Sequence, residues 1–120
     1  MRLEFGYGAG VQTVELPEEN LLGVLAANEI RHERGGEEAV RYALAHPIGA
    51  KPLRESVAPG QKIAIIASDI SRPVPSYEIL PAILDELTAA GCRDEDVTVV
   101  FALGSHRHHT EEEKRKLAGD

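Results

Sequence analysis

Hydrophobic and polar positions change places abruptly in the middle of this chain. Ile63, Ala64, Ile65, Ile66 and Ala67, launched by Ala58-Pro59-Gly60, form an uninterrupted apolar run. That is the pattern of a parallel strand covered on both faces. Ser68, Asp69, Ser71 and Arg72 follow at once, and Pro73 and Pro75 forbid further pairing and impose an extended turn. Beyond them Ile79, Leu80, Ile83, Leu84 and Leu87 recur at helical spacing, predicting a helix from about Tyr77 to Ala90 that Gly91 stops. Pro81 belongs in or near its first turn, where a missing N–H costs least. Asp94-Glu95-Asp96 reads as a solvated entry to a second strand, Val97 to Leu103.

Strand, helix, strand is a crossover unit, which is right-handed almost without exception and sets its strands parallel. Neighbouring strands lie roughly 5 Å apart, so the residues after Ala67 and those after Leu103 are expected at the same sheet edge. The second exit reads Gly104-Ser105-His106-Arg107-His108-His109-Thr110. Two polar clusters then converge at the carboxyl ends of the strands, where open α/β sheets hold their ligands.

The remaining segments complete the outline. Leu3, Phe5 and Tyr7 alternate before a glycine-rich turn and a β-rich run from Val11 to Leu16, a hairpin that Pro17 ends. Asn20 to Asn28 is apolar but contains Gly23, and a short helix and an extended stretch fit it equally. A charged loop follows from Arg31 to Gly36. A helix then begins at Glu37, with Ala39, Val40, Ala43 and Leu44 on one face, His46 at its carboxyl end and Pro47 as its stop. Ile48 to Val57 reads as a loop with one helical turn at Pro52. Thr110 and Glu113 form a capping box for a short last helix whose one large apolar residue is Leu117. That helix lacks a burying face, which implies a longer natural chain or a covering partner. The expected fold is α/β, a single domain over residues 1–120 with a small Rossmann-like parallel core and an amino-terminal hairpin.

Composition narrows the function. A formal charge of −7, no Trp, and only three Tyr and two Phe leave neither a basic face nor a stacking platform for nucleic acid. No apolar run could cross a bilayer, and Met1 to Gly10 has no secretory apolar core. Cys92 is the single cysteine, so no internal disulfide forms; the expected location is the cytoplasm. No G-x-G-x-x-G, Walker or G-x-S-x-G motif is present.

The chemistry available is that of Asp69, Arg72 and His106, with Ser68, Ser105 and Arg107 nearby. A guanidinium matches a carboxylate bidentately, and an imidazole exchanges protons near neutrality. Asp69 could orient Arg72 or a neighbouring imidazole, and the helix that follows His106 would favour its neutral, basic form. The competing structural reading has Asp69 capping its own turn and Arg72 paired to it at the surface. His106, His108 and His109 also invite a metal, yet no Cys or carboxylate stands at a recognised ligand spacing, and no metal ligand is assigned here.

The order of N-L-x-G-V-L near Asn20, PIGAKPL at 47–53, PGQKIAIIASDISRPVP at 59–75 and GSHRHHT at 104–110 resembles the amino-terminal domain of the lactate racemase family. These are nickel-pincer-nucleotide enzymes that invert the α-carbon of 2-hydroxy acids. The resemblance implies that Asp69 and Arg72 line the substrate and cofactor pocket and that His106 is one of two acid/base histidines. It also implies that the tethering lysine, the nickel-binding histidine and the second catalytic histidine lie beyond this chain, in a missing carboxyl-terminal domain or a partner. Residues 1–120 alone would then be inactive. The alternative from another class is a noncatalytic α/β module that binds a small anion or a partner chain; a histidine-loop metal-binding protein is a third.

Overall fold

The computed structural model describes residues 1–119 and divides the chain into two compact units, Met1–Arg31 and the part from His32 onward. In the first, β1 (Arg2–Tyr7) pairs antiparallel with β2 (Gly10–Glu15) through a two-residue loop. Gly8 has φ +58° at the first loop position, as a type II′ hairpin turn requires. Leu16 N–H closes the ladder on the Met1 carbonyl at 2.9 Å. Phe5 and Tyr7, the expected apolar face, stay exposed. Past a single 3-10 turn at Glu18–Asn20, the ambiguous apolar segment has no regular structure and exposes Leu22, Val24 and Leu25.

The second unit carries α1 (Gly36–Ala45), α2 (Leu53–Ser56), β3 (Ile63–Ser68), α3 (Ser76–Ala89), β4 (Val97–Ala102) and α4 (Glu111–Ala118). β3 and β4 are parallel, with Ile63 opposite Val97 and Ser68 opposite Ala102. The crossover helix α3 ends as predicted. Cys92 N–H reaches the Leu87 carbonyl at 3.0 Å and Gly91 N–H the Thr88 carbonyl at 2.9 Å, with Gly91 at φ +83°. A side chain there would also press on Pro59, 3.0 Å from where its Cβ would stand. α1, α2 and α4 pack on α3. Arg41 of α1 binds Asp85 at 2.7 Å, and Arg54 of α2 grips Glu86 with its guanidinium fork.

Four expectations need correction. The β3–β4 sheet is covered on one face only: Ala67 is buried, whereas Ile66 and Val100 on the other face are 65% and 42% exposed. An apolar run reports that both faces can be buried, not that neighbours bury both. Pro81 lies in the second turn of α3, because Pro75 caps a helix that already begins at Ser76. Its missing N–H leaves the Tyr77 carbonyl without the usual donor. Asp96, expected in solvent, is buried and receives Lys62 Nζ at 2.6 Å and Arg93 Nε at 3.0 Å, so its charge is compensated. Finally, α4 does have a burying face: Leu117 is only 2% exposed and borders an apolar hollow with Ile70, Pro73 and Tyr77.

Candidate functional site

The strand register brings the two exits side by side, since Ser68 and Ala102 are partners at the last rung. Both exits turn at once and alike. Arg72 N–H bonds the Asp69 carbonyl at 3.2 Å, and His106 N–H bonds the Leu103 carbonyl at 3.0 Å. In the second turn Gly104 takes φ +58°, a conformation that glycine supplies without strain. The first residue of one turn thereby meets the last residue of the other.

That meeting is a carboxylate against an imidazole. Asp69, 6% exposed, holds His106 Nδ1 with Oδ2. Its Oδ1 accepts the Ser71 hydroxyl at 2.6 Å and the Ser71 N–H at 2.9 Å. The Ser71 hydroxyl, then the His106 ring, hold the Asp69 carboxyl far below the usual carboxylate range. A carboxylate only accepts, so the Nδ1 it faces carries the proton, and Nε2 of a neutral His106 ring carries the lone pair. Among the described residues Nε2 has no hydrogen-bond partner, and the His106 side chain is 56% exposed.

Ser68, Asp69, Ser71, Arg72, Ser105 and His106 line one open cleft of about 380 Å³. Arg72 is exposed, and among the described residues its guanidinium makes neither hydrogen bond nor ion pair. The alternative pairing of Arg72 with Asp69 is therefore not what forms; Asp69 caps its turn through Ser71 and turns to the imidazole. Ser68 Oγ is buried without a partner at the end of β3. Arg107 does not line the cleft. Its guanidinium binds Glu113 at 2.8 and 2.7 Å, and that carboxylate also accepts the Thr110 N–H at 2.9 Å. Arg107 and the Thr110 amide hold the Glu113 carboxyl down to about 2. The amino end of α4 is occupied by this capping box, and the ring partner of His106 is Asp69.

Two residues of the converging clusters have roles that the sequence reading missed. Ser71 stands two after an aspartate, the signature of an Asx turn, and could have been read. His109 could not: its Nε2 accepts the Ile70 N–H at 3.1 Å across 39 residues, and its ring meets Phe101 edge-on at 5.2 Å. No group of three His, Cys, Asp or Glu side chains able to hold a metal exists among the described residues.

Fold and site together define an α/β domain that presents an acid–imidazole pair and an unpaired guanidinium at the carboxyl ends of its parallel strands. The family described as the lactate racemase N-terminal domain matches residues 7–120. The lactate racemase of Thermoanaerobacterium thermosaccharolyticum is 34% identical over 120 residues, covering 98% of this chain and 28% of the relative. That of Lactiplantibacillus plantarum is 32% identical over 113 residues, covering 92% and 26%. The solved lactate racemase apoprotein from T. thermosaccharolyticum superposes with a TM-score of 0.77 at 35% identity, over all of this chain and 27% of that one. The chain belongs to the lactate racemase family. It spans little more than a quarter of the length of the relatives it matches.

Proposed function

We propose that residues 1–120 form the amino-terminal domain of a 2-hydroxy-acid racemase or epimerase and handle the substrate's carboxylate and its hydroxyl proton. The observation that carries this is the Asp69–His106 contact, which leaves Nε2 without a partner in the cleft that Arg72 also lines. Arg72 clamps the carboxylate through two parallel N–H donors. Nε2 of His106 takes the hydroxyl proton of the substrate. Asp69 keeps the proton on Nδ1 and stabilises the imidazolium that forms. In the reverse direction His106 returns the proton to oxygen.

When bound in the complete protein, a nickel-pincer nucleotide would supply the hydride acceptor. Among the described residues no group of side chains is able to hold the nickel, so the metal would be held outside them. No helix among the described residues is long and apolar enough to cross a membrane. With Cys92 a buried free thiol, we place the protein in the cytoplasm.

The test is His106→Gln in the complete natural protein, followed by the interconversion of lactate enantiomers and by substrate binding. Turnover is expected to fall on the order of 10²- to 10⁴-fold with binding retained. The 120-residue chain alone is expected to show none. Unchanged turnover in the variant would leave the other reading, a noncatalytic module that binds a small anion or a partner chain.

A further inference from the structure

His109 touches neither the cleft nor the surface in a way that its neighbours His106 and His108 would foretell. Its Nε2 accepts the N–H of Ile70, the residue that follows Asp69. An N–H can be accepted only by an unprotonated nitrogen, so the His109 ring carries its proton on Nδ1. That atom is buried without a partner, an arrangement that costs free energy. The ring stands edge-on against Phe101 of β4, which fixes its plane. Among the backbone and side-chain hydrogen bonds of the two exit loops, those that cross from one to the other are His109 to Ile70 and the His106 contacts with Asp69 and Ser71. The Ile70 amide and the Asp69 side chain belong to adjacent residues, so tethering one limits where the other can go.

We propose that His109 is a positioning residue: by holding the Ile70 amide it sets Asp69 where it can grip His106 Nδ1, and so fixes which nitrogen of His106 faces the substrate. The inference rests on the catalytic reading of His106 given above. A buried ring nitrogen without a partner is explained if the bond on the other side of the ring is what the residue is there to make. A purely apolar filler at this place would satisfy Phe101 and leave the Ile70 N–H unbonded.

The experiment uses the complete natural protein with isotope-labelled histidine, as wild type, His109→Leu and His109→Gln. Leu keeps the contact with Phe101 and removes the acceptor; Gln offers an oxygen acceptor in its place. In wild type, the ring nitrogen signals of His106 should report a proton on Nδ1, with a downfield Nδ1 proton from the bond to Asp69. In His109→Leu that proton signal should be lost or weakened and the two tautomers should mix, while kcat for racemisation falls by up to about 100-fold with KM little changed. His109→Gln should restore both. A folded His109→Leu protein with the wild-type His106 signals and kcat would overturn the positioning role and leave the function of His106 standing. Absence of the Nδ1 signal in wild type itself would overturn the Asp69–His106 pair, and with it both proposals.

Discussion

The loops that leave β3 and β4 start at the same rung and turn through the same kind of hydrogen bond, yet they are held by different means. The first is held from within. Asp69 accepts from Ser71 twice, its carbonyl accepts from Arg72, and Pro73 and Pro75 stiffen the approach to α3. The second is held from its far end: Arg107 and Thr110 bind Glu113 on α4, and His109 reaches across to Ile70. A carboxylate fixed by its own turn can serve as the reference against which a more exposed imidazole is set. The division also explains why Arg72 and Arg107 differ. One guanidinium has no partner among the described residues, and the other is consumed in building the loop.

The largest expected effect comes from breaking the point where the loops meet. Asp69→Asn keeps the shape but puts a neutral amide where the carboxylate faces Nδ1, removing the charge that favours the imidazolium and the preference for the Nδ1–H tautomer. In the complete protein racemisation should fall by about 10²- to 10⁴-fold, with helix content by circular dichroism retained. A rate within a factor of a few of wild type would mean that the carboxylate serves the turn and not the imidazole.

Next in size is the anchor of the second loop. Leu117 fastens α4, and through it the segment from Arg107 to Thr110. Leu117→Ala should cost about 2–5 kcal/mol, read as a shift of the denaturant midpoint at unchanged slope. A cost under about 0.5 kcal/mol, the range of ordinary surface substitutions, would place Leu117 on the surface and contradict its burial.

Legibility in the sequence divides along the same line between local and distant causes. The apolar stripe of α3, its Gly91 stop, the Thr110–Glu113 box and the convergence of the two exits all depend on spacing or on a topological rule, and each appears where expected. The open face of the sheet, the burial of Asp96 by Lys62 from 34 residues away and the docking of Leu117 depend on what packs alongside, which spacing does not report. Within the site the types were readable and the partners were not. Arg107 looked like Arg72, and only Glu113 tells them apart; His109 looked like one of three candidate metal ligands, and only Ile70 gives it a place.

The smallest effect isolates the cap of α4. Thr110→Ala removes the acceptor of the Glu113 N–H and should destabilise by about 1 kcal/mol, a value usual for an N-cap, without reaching Asp69. Acid should act on the same cap through Glu113. Its carboxyl is lowered in the folded state from 4.5 to about 2, so the stabilisation it gives is present above the unfolded value and is lost as pH falls through the interval down to about 2. Followed by the amide resonances of Thr110 and Glu113, this release should occur between those limits in wild type. In Glu113→Gln it should vanish, because no carboxylate remains to be protonated, whereas a transition that persists there would assign the acid sensitivity of the second loop to another group.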